Sequence, residues 1–101
     1  MSVRVVRNGT IANVFLRGYL NHTLLDPFYA AIQPHMQAEK IVIYMRSMDG
    51  MDATGLGLLA SLRQQFGPDK HIVLVAPPKH VANLLTNRQL DRCFTLTPTA
   101  Q

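Results

Sequence analysis

The chain has 101 residues, of which 48% are hydrophobic, 16% charged and 7% aromatic, enough for one small core but not for a deep cleft with a separate lid. Ten Lys and Arg against six Asp and Glu give a net charge of +4, yet the basic residues are scattered from Arg4 to Arg92 without a run, which argues against a nucleic-acid partner. The lone Cys93 leaves no internal disulfide to form and suits a reducing, cytoplasmic setting.

Residues 3–6 and 10–16 are rich in β-branched side chains and flank Asn8-Gly9, predicting an opening hairpin with positive φ at both central turn residues. Asn13 and Arg17 interrupt the apolar stretch, so no signal peptide is expected. Leu24, Leu25, Phe28, Ile32 and Met36 recur at helical spacing, with Thr23 or Asp26 as N-cap and Pro34 disturbing the last turn. Residues 40–46 form an unbroken apolar run of strand length, the expected central strand. A polar loop, residues 47–52, leads into a helix over residues 54–66 with Leu56, Leu59, Leu62 and Phe66 on one stripe, stopped by Gly67-Pro68. The longest uncharged apolar-rich segment, residues 53–62, falls short of the roughly 20 residues of a membrane helix, so no direct membrane insertion is expected. Residues 71–76 read as a strand, and Pro77-Pro78 opens a third helix carrying Val81, Leu84 and Leu85. Residues 93–96 read as a short closing strand in which Cys93 packs as a small hydrophobe. The order ββαβαβαβ predicts an α/β fold over residues 1–101: a small mixed, largely parallel sheet with an antiparallel N-terminal hairpin and three to four packing helices.

The segment from Asp49 to Leu59 places two carboxylates and two glycines where the central strand hands over to a helix, and parallel sheets put their sites at such strand ends. A free helix N-terminus suits a phosphate or carboxylate, which makes an anion or nucleotide sensor one reading. The plainer reading is a helix capped by Asp52 or Thr54, with Gly55 and Gly57 allowing close approach to the sheet. The spacing Gly55, Gly57, Ala60 fits a relaxed dinucleotide fingerprint, but eight residues separate Arg46 from Gly55 and no acidic residue ends the next strand. His22, His35, His71 and His80 lack partners at ligand spacing, so they are read as surface or edge residues and no metal is expected. Ser2, Ser47 and Ser61 sit in no nucleophile elbow, so neither an enzyme nor a cofactor is expected. Phe15, Arg17 and Tyr19 alternate along one strand face as a small stacking platform, for which a solvated basic surface is the plainer reading.

Asp52-Ala53-Thr54-Gly55-Leu56-Gly57-Leu58-Leu59 resembles the D-[S/T]-[S/T]-G-L-G-x-L signature of STAS domains, the family of bacterial anti-sigma factor antagonists and of cytoplasmic domains of sulfate transporters. Gly18-Tyr19-Leu20-Asn21 stands where that family has G-E-L-D, and residues 78–94 resemble its closing segment, P-x-V-x-x-x-L followed by L-D-x-x-F. The resemblance implies a non-catalytic partner-switching module that binds a serine kinase doubling as anti-sigma factor, with phosphorylation choosing the partner. It places the phospho-acceptor at Ala53, which has no hydroxyl, so it implies a constitutively competent module, with Thr54 as a substitute acceptor or simply a helix cap. A phosphate there would bring about 1.5 to 2 negative charges beside Asp49 and Asp52. By the same resemblance the partner-binding residues are Asn21, His22, Met48, Asp49, Met51, Asp52, Ala53, Thr54, Gly55, Leu56 and Gly57. Met48, Met51 and Leu56 are taken as the exposed apolar contacts, the two methionines having a place under the loop as the alternative. The expected partner is a kinase-like ATPase; the ATPase of a lipid transporter, with this chain as an accessory subunit, is the second reading.

Overall fold

The computed structural model describes residues 2–98. Strand β1 (Ser2–Asn8) turns back into β2 (Ile11–Leu20), and β3 (Lys40–Met51), β4 (His71–Val75) and β5 (Thr95–Thr97) follow, separated by helices α1 (Leu25–Ile32), α2 (Ala53–Phe66) and α3 (Lys79–Asn87). The sheet order is β1-β2-β3-β4-β5, with β1 antiparallel to β2 and every later neighbour parallel. This is the mixed, largely parallel sheet that the alternation of apolar runs predicts. Short 3-10 turns, His22–Leu24, Gln33–His35 and Leu90–Arg92, complete the connections.

Period-two burial explains how the layers form. Ala12, Val14 and Leu16 of β2, Ile41, Ile43 and Met45 of β3, and Ile72 and Leu74 of β4 all turn to one face. There they meet Phe28 and Ile32 of α1, Leu58, Leu59 and Leu62 of α2, and Val81 and Leu85 of α3 in a single apolar cluster. All three helices therefore cover the same side of the sheet. Beyond α2, the Arg63 guanidinium donates to the carbonyl oxygens of Gly67, Lys70 and Cys93, tying the end of the helix to the start of β4 and to the turn before β5.

Several local expectations are corrected. The hairpin turn is Gly9-Thr10, since Asn8 pairs with Ile11. Gly9 alone has positive φ, +63°, as suits glycine at the first central position of a two-residue turn rather than an asparagine-glycine pair. Neither Thr23 nor Asp26 caps α1; Asn21 Oδ1 instead accepts from Thr23 N at 3.0 Å and organises the 3-10 turn ahead of the helix. Pro34 sits in the 3-10 extension after α1, the irregular ending expected of it. Cys93 is exposed in the turn before β5, not packed in a strand, because β5 begins only at Thr95.

Candidate functional site

The polar segment 47–52 is not a loop, for β3 runs to Met51. Two register shifts against β2, between Phe15 and Arg17 and between Gly18 and Tyr19, place extra residues in β3. A bulge turns the following side chains to the opposite face. Met45, Met48 and Met51 consequently all point into the core, and Asp49 is pushed out to solvent.

At the end of β3 the chain enters α2 through Asp52. Its backbone is extended, φ −107° and ψ −170°, and its Oδ1 accepts from Gly55 N at 3.1 Å. Asp52, not Thr54, is therefore the N-cap. The Asp52 N–H donates to Leu20 O at 3.3 Å, holding the first turn of α2 onto the end of β2. That contact leaves no room for a side chain at position 55, where a Cβ would lie 2.7 Å from Leu20 O and 3.0 Å from the Met51 Cβ. Gly57 faces open space, so of the two glycines only Gly55 serves close packing.

The structure divides the expected contact residues into two groups. Asp49, Ala53, Gly57 and His22 are exposed, and Asn21, Asp52 and Thr54 are half-buried, all around the carboxyl ends of β2 and β3. Met48, Met51 and Leu56 are 5%, 4% and 5% exposed and belong to the core, as does the buried Gly55. The expectation that these apolar residues form the contact surface is thus overturned, and the two bulges are the reason for the methionines. Leu56 is turned inward as part of the apolar stripe of α2.

Two residues that the motif did not select complete the surface. Tyr19, 44% exposed, pairs with Gly50 across β2 and β3. His80, in the first turn of α3, brings Nε2 to 2.9 Å from Asp49 O, and since a carbonyl oxygen only accepts, this nitrogen carries the proton. Gly50 has φ +156°, and a Cβ on it would lie 2.8 Å from His80 Nε2 and 3.1 Å from Tyr19 Cε1. Glycine there lets the histidine and the tyrosine close over the strand. The signal available in the sequence was topological, since the β4–α3 connection leaves the same edge of the sheet as the β3–α2 connection.

Among the described residues no three His, Cys, Asp or Glu side chains gather where a metal ion would sit, and no helix is long and apolar enough to cross a membrane. The surface instead offers a small alanine and an exposed glycine on a helix turn, rimmed by Asp49, Asp52, His22, His80 and Tyr19. Such a mixed, uncharged-centred patch suits a protein partner better than a small substrate.

The fold is that of solved anti-sigma factor antagonists. One from Mycobacterium paratuberculosis superposes with a TM-score of 0.85 at 20% identity, covering 97% of this chain and 86% of its own. A STAS domain protein from Planctomyces limnophilus gives 0.83 at 15% identity, covering 100% and 93%. The Bacillus cell fate determinant SpoIIAA in its phosphorylated form gives 0.76 at 15%, covering 94% and 90%. At these identities the likeness is one of fold. No curated protein matches the sequence significantly. The STAS domain model matches residues 2–101, and the chain belongs to the STAS domain family.

Proposed function

We propose that this protein is a non-catalytic docking module of the anti-sigma factor antagonist kind, which presents the start of α2 to a kinase-like ATPase in the cytoplasm and is held permanently in its binding-competent form. The observation that carries this reading is Ala53. It is exposed in the first turn of α2, directly after the capping Asp52, where the family resemblance puts a phosphorylated hydroxyl. SpoIIAA, a fold relative, has been solved both with and without phosphate. With alanine at this position the centre of the patch stays neutral between Asp49 and Asp52, and no phosphate can add repulsion or desolvation cost. Asp49, Ala53 and Gly57 are the outward contacts, with Asn21, His22, Asp52 and Thr54 beside them. The buried Met48, Met51, Gly55 and Leu56 support the patch from beneath. Thr54 as a substitute acceptor gains nothing from the geometry, being half-buried. The anion-sensor reading loses one of its donors, because the Asp52 carboxylate already occupies the Gly55 N–H.

Affinity capture of the tagged protein from its own cells, with intact mass measured on the bait, tests this. Recovery of a kinase-like ATPase on unmodified bait is expected. A bait carrying phosphate on Thr54 would overturn constitutive binding, and recovery of a transporter ATPase would assign the chain to a lipid-transport complex instead. Ala53→Asp, which adds charge at an exposed helix start without disturbing the fold, is expected to weaken capture at least tenfold.

A further inference from the structure

Because α1, α2 and α3 all lie on one side, the opposite face of the sheet has no layer over it among the described residues. Parallel strands are normally covered on both faces. Here the uncovered face has an apolar centre, Val42 and Val73, inside a polar and basic rim that includes Arg4, Asn13, Arg17, Lys40 and Thr95, the arrangement of a docking patch. Its middle row, read across the register, runs Val6, Asn13, Val42, Val73 and Thr95, and Val6 at its edge is 44% exposed. A shallow trough of about 650 Å³ is lined by Val42, Tyr44 and Val73 and equally by the polar Asn13, Lys40 and Thr95.

Charge says what fits there. Arg4 and Arg17 stand on this face and Lys40 lines the trough, while Asp49, at the far end of β3, is the one carboxylate in any of the five strands. A second copy seated face to face would bring the same cations against these and be repelled. Bases of a single-stranded nucleic acid need free aromatic faces. Here Phe15 lies between Arg4, 5.1 Å from its ring, and Tyr44, stacked on it at 4.7 Å and 7°. Size also fits a helix: five strands about 4.8 Å apart span about 19 Å, the length of an α-helix of about 12 or 13 residues.

We propose that this bare face is a second docking site, which takes an amphipathic α-helix of a partner protein laid across the strands, with its apolar stripe on Val42 and Val73 and Glu or Asp on both flanks, toward Arg4 and Arg17 on one side and Lys40 on the other. The inference does not rest on the function proposed for the α2 surface.

The test places the photo-crosslinker p-benzoylphenylalanine at position 73, and separately at position 95, in the full chain expressed in its own cells, and sequences the crosslinked segment. Both positions are expected to capture the same acidic, helix-patterned segment of another protein. The yield is expected to fall at least tenfold in Arg17→Glu/Lys40→Glu and several-fold in Arg17→Gln/Lys40→Gln, the neutral pair guarding against an effect on folding. Adducts to nucleic acid, to a second copy of this chain or to a basic segment would overturn the proposal, as would the absence of any adduct.

Discussion

Gly55 and Gly57 sit two residues apart in α2 and are small for opposite reasons. At position 55 a methyl group would press on the backbone oxygen of Leu20 at 2.7 Å, and that oxygen is fixed by its place in the sheet and by the Asp52 N–H. Gly55→Ala is therefore expected to cost about 1–3 kcal/mol, the range for overpacking. At position 57 nothing lies within 4 Å, so Gly57→Ala recovers only helix propensity and is expected to stabilise by about 0.5–1 kcal/mol. Urea unfolding of the two variants checks both signs; stabilisation by both would mean that α2 slides freely along β2. Leu56, between them, gives the complementary lesson. Its buried position means that Leu56→Glu would place a carboxylate in the core and unfold the domain, so the variant is unsuitable as a probe of docking, for which Ala53 serves.

At the scale of elements, what was legible in the sequence was whatever periodicity and punctuation express. The order of strands and helices follows from apolar runs alternating with 3.6-residue stripes, and the stops at Pro34 and Gly67-Pro68 follow from backbone chemistry. What was not legible depends on pairing between distant segments. The bulges that carry β3 through to Met51 are defined only against β2, so residues 47–52 look like a polar loop and Met48 and Met51 look free to make contacts. Cys93 was misplaced for a related reason, since β5 is a three-residue strand specified by its pairing with β4 more than by its own residues. The end of α3 shows the same blindness on a smaller scale. Gln89, just past the helix, adopts φ +60° and ψ +21° and donates its N–H to Thr86 O at 3.0 Å, a left-handed ending that glycine usually provides. Nothing in the residue type announces it. Gln89→Gly is expected to stabilise the protein by up to about 1 kcal/mol, relief of left-handed strain outweighing the extra chain entropy. A thermal melt that falls instead would show that the entropy term wins.

The whole molecule is a sheet with one covered and one uncovered face, and the two faces assign different meanings to the same residue type. Apolar side chains on the helix side hold the protein together: Leu59 has no exposure at all, and Leu59→Ala is expected to cost about 2–5 kcal/mol, a large share of the ~5–15 kcal/mol that a domain possesses. Val73 is as apolar and lies in a central strand, but its side chain stands over the trough on the bare face. Val73→Thr keeps the β-branched shape that suits a strand and gives water a hydroxyl to bond. If the apolar character of that face serves a partner rather than the fold, this change is expected to move stability by no more than about 0.5 kcal/mol, as at other surface positions. It should nevertheless weaken the crosslinking through position 95. A loss of 2 kcal/mol or more in the isolated protein would mean instead that the valines are needed for folding, and the bare face would then be a structural layer in its own right.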